Sequence, residues 1–498
     1  MSVQGLGLFD VLVRNAECFG ERPAVVTETG EVRNYRSLMA RADQLAAGLN
    51  QAGLAKGDRI VVIAQNSAAF YELYFACARE GIVPYPLNWR SSADEVSRSL
   101  ERAEPDGIIV DAQYRALLPA DLPALKLKAQ FDGAPSGGWT SVESLYQSPR
   151  ADRPDVGADD AFAIISTAAV DVIPRGAVLT HGNVIASNLQ TMAAMGLNEE
   201  DGNLLALPLF HVAALGSALS VMHAGGQIVI MAAFDAAQAV KLIDAHQLTF
   251  ISDFPPVLAN VLDEAANQSS NLPSLRIVNG LDAPDTIERL HRETNADFYT
   301  GFGQTETTGW VTIQRARDLM GAAGKPGPLC RVKLVDDYEN EVPAGTPGEI
   351  LVQGPVVFQG YFGQPDVTEH TFRGGWHHTG DVGRFDEHGT LFYVKRKPEK
   401  ELIKPGGENV YPAEVETAIM AMDGVRAVCV FGVPDTKWGE AVKAVVETDA
   451  DLTVEAVRDF VGSRIARFKR PQHVEFTNAL PRDDTGVVDR DAVKGEWA

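Results

Sequence analysis

Short runs of buried-strand character alternate with amphipathic helices through more than half of this chain, and few folds accept that pattern. Residues 37–53 place Leu38, Leu45 and Leu49 along one helical side and then reach Gly53, a residue suited to ending a helix. Residues 59–64 are an almost unbroken apolar run centred on Ile60, Val61, Val62 and Ile63. Ser67 then opens a helix carrying Phe70, Leu73, Tyr74, Cys77 and Ala78 as far as Gly81, and residues 82–87 are extended. Further strand-like runs occupy 162–165, 227–231, 249–252, 275–278 and 297–299, with helical stretches such as 236–247 and 255–266 between them. Repeated strand–helix–strand units predict doubly wound parallel sheets.

From about Leu329 the texture becomes glycine-punctuated β, which predicts a barrel-like subdomain over 329–395. A charged, turn-prone run carrying Pro398 follows, and then a small α+β unit. The expected fold class is α/β. It comprises a large N-terminal domain (1–395) of two doubly wound sheets plus the β-rich subdomain, and a small mobile C-terminal α+β domain (396–498).

The chain has 498 residues, 45% hydrophobic and 22% charged, which is enough for a large core and more than one domain. Its 67 acidic against 44 basic residues give a net charge of −23, which argues against nucleic acid or an anionic membrane as partner. Cys18, Cys77, Cys330 and Cys429 lie far apart without metal-ligand spacing. A reducing cytoplasm and no protein-held metal are expected. No targeting segment or membrane-length apolar run is evident.

Several motifs follow one another in order. Pro174, Arg175 and Gly176 precede Leu179-Thr180-His181-Gly182-Asn183. Phe210 and His211 close a Pro-Leu-Phe-His run whose flanks, Val212 included, are apolar. Gly301-Phe302-Gly303-Gln304-Thr305-Glu306 forms a glycine-rich turn; Thr379-Gly380-Asp381 and Arg396 come later. Residues 399–416 contain Gly406 and Gly407, and Lys469 and Arg470 stand near the end. Taken singly, each is more often structural than functional: an Asp after Gly is usually a turn and an Arg is usually solvated.

In this order, across nearly the whole chain, they resemble the adenylate-forming superfamily of acyl-CoA synthetases, luciferases and peptide-synthetase adenylation domains. The resemblance implies AMP binding by Phe302, Gly303, Gln304, Thr305, Glu306, Asp381 and Arg396. Phe302 would stack on adenine, Thr305 would bond the phosphate, Glu306 would help hold magnesium, and Asp381 and Arg396 would serve the ribose. It implies acyl binding by His211, Val212 and Gly301, with His211, Gly406 and Gly407 forming the catalytic thiol route. CoA is the implied co-substrate, with Lys469 and Arg470 meeting its phosphates.

Two departures fall on one half of the family's reaction. The phosphate-gripping loop, elsewhere rich in Gly, Ser and Thr, here has Ala169 and Val172 among residues 168–173. Alanine and valine do not readily adopt the positive φ of an anion-cradling nest. Val487 stands where the resemblance places the lysine that bridges substrate carboxylate and phosphate. Valine neither donates nor carries charge.

These departures predict an acyl-CoA ligase that has lost adenylation but still joins a preformed acyl-adenylate to CoA. A separate adenylating enzyme would supply that adenylate, and magnesium would be dispensable. The pairing resembles non-adenylating ligases of diterpenoid antibiotic biosynthesis, which implies a bulky terpenoid acyl group. Two alternatives stand beside it: a complete ATP-dependent acyl-CoA synthetase, and a silent protein that binds acyl-AMP or a CoA ester.

Overall fold

The computed structural model describes residues 6–148, 152–167, 174–397, 401–483 and 487–498. A nine-stranded sheet runs in the order Lys325–Pro326, Gly309–Arg315, Asp297–Gln304, Ile277–Gly280, Phe250–Asp253, Gly202–Leu205, Gln227–Ile230, Pro23–Thr27, Val32–Asn34. Its central strands pair in parallel, and antiparallel strands extend both edges. A second, parallel sheet has the order Val83–Pro86, Arg59–Ile63, Gly107–Val110, Leu127–Gln130, Thr140–Ser141. Parallel strands covered on both faces need continuous apolar runs, and Ile60 to Ile63 are fully buried.

One core joins the two sheets. Ile60 and Val62 from the smaller sheet and Phe250 and Ile277 from the larger meet side chains of helices Tyr35–Gln51, Ala68–Glu80 and Val212–Ala224. Helices Ala236–His246, Val257–Asn267 and Pro284–Glu293 cover the opposite face of the larger sheet through a separate cluster. The helix expected after Ser67 begins there because the Ser67 side chain accepts from Phe70 N at 3.1 Å. It ends at Gly81, whose φ of +68° is left-handed.

The strand expected at 162–165 departs from the parallel pattern. Ala161–Thr167 pairs antiparallel with Arg175–Thr180, in a three-stranded sheet completed by Gly360–Tyr361. The intervening residues are too few for the helical crossover that a parallel pair requires.

The β-rich region is an antiparallel sheet of Arg331–Val335, Gly348–Gln353, His377–Phe385 and Leu391–Arg396. Its last strand runs one residue beyond the expected domain boundary. The C-terminal α+β unit pairs Val425–Asp435 with Gly439–Thr448 and adds His473–Thr477 in parallel. Its core includes Ile403, Val415, Val430, Val442, Val457 and Val461. Ala169 and Val172 lie outside the described residues, as do residues 398–400 and 484–486. No helix among the described residues is long and apolar enough to cross a membrane.

Candidate active site

Open α/β sheets gather ligands at the carboxyl ends of their parallel strands. Phe250–Asp253, Ile277–Gly280 and Asp297–Gln304 end side by side there. The last of these delivers Gly301, Phe302, Gly303 and Gln304 and passes into the turn Thr305–Thr307. The neighbouring strand dictates both glycines. A Cβ would lie 1.9 Å from Thr312 O at position 301 and 2.2 Å from Gly309 O at position 303.

Glu306 is buried, and its Oε1 accepts from Thr167 Oγ1 at 2.9 Å and Tyr361 Oη at 2.8 Å. Thr167 immediately precedes residues 168–173, so the turn is tied to the residue that leads into them. Among the described residues no group of three or more His, Cys, Asp or Glu is placed to hold a metal. Glu306 offers one carboxylate, which suits a magnesium ion carried chiefly by substrate phosphates.

Asp381 and Arg396 face each other across two antiparallel strands, with Arg396 Nε 3.3 Å from Asp381 Oδ1. Tyr393 Oη donates to the same oxygen at 3.1 Å, and Gln304 Nε2 donates to Oδ2. Gln304 Nε2 also reaches Thr379 O at 2.9 Å. The sheet therefore brings the two expected ribose residues together with Gln304 in one cluster.

Phe302 is the exception. It packs with Val311, Ile350, Val352 and Leu391 and is 6% exposed. Strand alternation turns its ring into the β-rich core. The ring of Tyr393 lies roughly parallel to it at 6.5 Å and is 45% exposed.

His211 caps the helix Val212–Ala224, its Nδ1 accepting from Ala213 N at 3.2 Å. That bond leaves the ring proton on Nε2. Burial, and after it Lys404, holds the imidazole down at about 4, so it is neutral near pH 7. Its ring meets Phe254 edge-on at 5.8 Å. Val212 is buried in the main core, and Gly301 lies where a Cβ would come 3.0 Å from Trp310 Cε3.

The C-terminal domain closes this site. Gly406 and Gly407 have φ of +59° and +81°. A Cβ at 406 would lie 2.8 Å from Trp438 Cε3, and one at 407 would lie 2.9 Å from Phe254 Cβ. Left-handed backbone and close approach thus coincide at both positions. The same loop introduces Lys404, which the motifs did not single out. Burial and then Arg396 lower it to about 8, while Asp381 and Glu440 pull it upward.

Salt bridges hold the domains in this arrangement. Lys469 Nζ lies 2.5 Å from Glu95 and 2.8 Å from Glu414. Arg90 pairs with Glu408, Asn88 Nδ2 donates to Glu408 Oε2 at 3.0 Å, and Ser92 Oγ donates to Arg464 O at 3.1 Å. Burial pushes Glu414 up to about 7 against the pull of Lys469.

Lys469 is therefore buried between two carboxylates here and does not face a CoA phosphate. Half-buried Arg470, with Asp459 no nearer than 3.9 Å, keeps its charge more available. Val487 is 62% exposed, its N–H donating to Asp483 Oδ1 at 3.1 Å. Lys494 pairs with Glu401 at 2.6 Å.

Two family models match the chain: "AMP-binding enzyme" over residues 12–362 and "AMP-binding enzyme C-terminal domain" over 414–486. A feruloyl-CoA synthase from Amycolatopsis sp is 33% identical, covering 100% of this chain and 99% of that protein. A long-chain-fatty-acid–CoA ligase from Mycobacterium tuberculosis is 31% identical over 95% of each. The o-succinylbenzoate CoA synthetase of Bacillus subtilis, a double mutant bound to a CoA product analogue, superimposes with a TM-score of 0.85 at 25% identity over 99% of each chain. With ATP and magnesium, that enzyme gives 0.69 at 26% identity over 97% of this chain and 99% of its own. The closed arrangement described here is nearer to the product-analogue complex. The chain belongs to the AMP-binding, adenylate-forming enzyme family, among its acyl-CoA ligases.

Proposed function

We propose that the chain forms acyl-CoA thioesters from acyl-adenylates and CoA, and that its own activation of the free acid with ATP is the slow half of the reaction. In the thioester step the CoA sulfur attacks the adenylate's carbonyl carbon. The bond from that carbon to the phosphate oxygen breaks, AMP leaves, and the thiol proton passes to solvent. No protein nucleophile is needed once the thiol is held at attacking distance. Asp381, Arg396 and Thr305 would hold AMP, neutral His211 would line the acyl entrance, and Gly406 and Gly407 would bring backbone against the thiol route.

Slow activation is carried by Val487, where the family's lysine would balance charge as acid and phosphate join. Lys494 is engaged by Glu401 and does not replace it. Loss of one such donor costs about 10² to 10³ in rate, which gives a sluggish activator rather than an inert one. An enzyme supplying acyl-adenylate would then be a natural partner. The thioester step releases no pyrophosphate and would proceed without magnesium. The terpenoid acyl group rests on the sequence resemblance alone.

Two relatives favour a second reading, a complete ATP-dependent acyl-CoA ligase, because the feruloyl-CoA synthase and the long-chain-fatty-acid–CoA ligase match all or nearly all of the chain. Lys404 supports it as a second cation beside Arg396 and Asp381.

One experiment separates the readings. Purified protein and CoA are given either free acid with ATP or the preformed adenylate, over a panel of aryl, fatty and terpenoid acids. The adenylate is expected to react at least about a hundredfold faster, and Val487→Lys to narrow the gap. Equal rates would establish the complete ligase. No thioester from an adenylate that demonstrably binds would refute both.

A further inference from the structure

The loop that follows the domain junction carries Lys404 between the two halves of the site. Ile403 N donates to Val410 O at 2.8 Å and Val410 N to Ile403 O at 2.9 Å, and both side chains turn into the C-terminal core. Alternation along the extended backbone therefore turns Lys404 away from that core. Its N–H donates to Glu440 Oε2 at 2.6 Å, which fixes the backbone there. On one side Arg396, from the ribose cluster, donates through Nη1 to Leu402 O at 3.4 Å. On the other, Gly407 lies against Phe254, whose ring meets His211 edge-on. Lys404 thus stands between the residues that would hold AMP and those at the acyl entrance. The carbonyl of an acyl-adenylate joins those two parts of the molecule.

The ammonium of Lys404 makes no ion pair or hydrogen bond among the described residues, and the residue keeps part of its surface open. Burial and then Arg396 bring its pKa down to about 8, against an upward pull from Asp381 and Glu440, and its charge acts in turn on His211. About a tenth of such amines are neutral at pH 7, roughly two hundredfold more than for an ordinary lysine at about 10.4. A desolvated lysine carrying that much free amine is a nucleophile.

We propose that Lys404 is a self-acylation site: in the absence of CoA its amine takes the acyl group from an acyl-adenylate bound beside it. The nitrogen lone pair attacks the carbonyl carbon, and the bond from that carbon to the phosphate oxygen breaks. AMP leaves, and the proton released from nitrogen passes to solvent. The product is an N-acyl-lysine amide, and no further reactant enters. Holding two groups together is equivalent to an effective concentration of about 10⁵ M or more, which sets this amine apart from every lysine in solvent. CoA competes, because its thiol would reach the same carbonyl past Gly406 and Gly407. Acylation removes the charge of Lys404 and leaves the acyl group across the thiol route, so an enzyme short of CoA would switch itself off. The inference goes beyond thioester formation and rests on the adenylate binding in that reading.

The test incubates the full chain with preformed cinnamoyl-adenylate or octanoyl-adenylate, with and without CoA, and maps its lysines by peptide mass spectrometry. With at least one of the two, the acyl mass is expected on Lys404 at least about a hundredfold faster than on any other lysine, and stable to hydroxylamine as an amide is. An excess of the matching acyl-sulfamoyl adenosine should prevent labelling, and CoA should slow it. Because neutral amine is the reactive form, the rate should rise with pH to a plateau, with a midpoint near 8. Lys404→Arg should carry no acyl group at that position.

Acyl groups spread over the exposed lysines, as adenylate released to solvent would leave them, would overturn the site. So would an unmodified Lys404 in protein that demonstrably binds the adenylate. The wild-type map decides the question by itself should the variant fold poorly. Acyl-Lys404 without any thioester when CoA is added would uphold the site and defeat the ligase reading. Thioester with CoA, and an untouched Lys404 without it, would do the reverse.

Discussion

Lys469 Nζ stands 2.5 Å from Glu95 and 2.8 Å from Glu414, so one buried ammonium is shared by a carboxylate from each domain. Removing one partner from such a group leaves uncompensated buried charge, at a cost of about 3 to 5 kcal/mol. The closed arrangement should depend on it.

Lys469→Met is expected to populate the open arrangement, seen as a larger radius of gyration by small-angle scattering, and to slow thioester formation at least about tenfold. With the ammonium gone, burial favours protonated carboxyls. The variant should therefore close better in mild acid and progressively less as pH rises. A variant as compact and active as the wild type would show that the cluster does not govern closure.

Lys404 supplies a pH signature. Its ammonium is lost as pH rises through about 8, so its charge is present below that value and absent above it. Thioester formation from a preformed adenylate should fall on the alkaline side with a midpoint near 8. Lys404→Arg should move that limb to higher pH, and Lys404→Met should flatten it at a lower rate. Rate–pH profiles of the three proteins decide the matter.

Gly407 combines a φ of +81° with a Cβ position 2.9 Å from Phe254. Gly407→Ala meets a left-handed backbone cost of about 1 to 2 kcal/mol and the collision besides. Thioester formation should drop by at least about tenfold while calorimetric AMP binding stays unchanged. A loss of AMP binding instead would place the glycine's role in the nucleotide pocket.

Asp381 accepts from Gln304 and Tyr393 and pairs with Arg396. Asp381→Asn keeps the shape but removes the charge that both Arg396 and a ribose would use. Hydrogen bonds to charged groups contribute about 1.5 to 3 kcal/mol, so AMP affinity should weaken roughly ten to a hundredfold by calorimetry.

Much of the scaffold could be read from local pattern. The run around Ile60 to Ile63, the Ser67 cap and the left-handed Gly81 all appear where residue chemistry places them, because strand burial and helix capping depend on near neighbours. Gly301 and Gly303 read as part of a glycine-rich turn, but they lie within the strand Asp297–Gln304, and the neighbouring strand that requires them lies further along the chain.

Long-range pairing was not legible. Lys469 looked like a candidate for phosphate because its partner Glu95 lies 374 positions away. Lys404 sat inside a recognised run, yet its importance comes from His211, Asp381 and Arg396, which only domain closure brings near. Phe302 has the residue type of a stacking ring, but strand alternation sends it into the core and leaves Tyr393 at the surface.

Thr167 and Arg175 are direct partners across an antiparallel pair, with the phosphate segment between them. Its two ends are thus fixed by backbone bonds that do not depend on what the segment contains. It can be treated as an exchangeable cassette: a glycine- and threonine-rich replacement of equal length should graft onto an intact frame. The anchor to Glu306 through Thr167 would remain, and a gain in ATP-driven activity could then be credited to the segment itself.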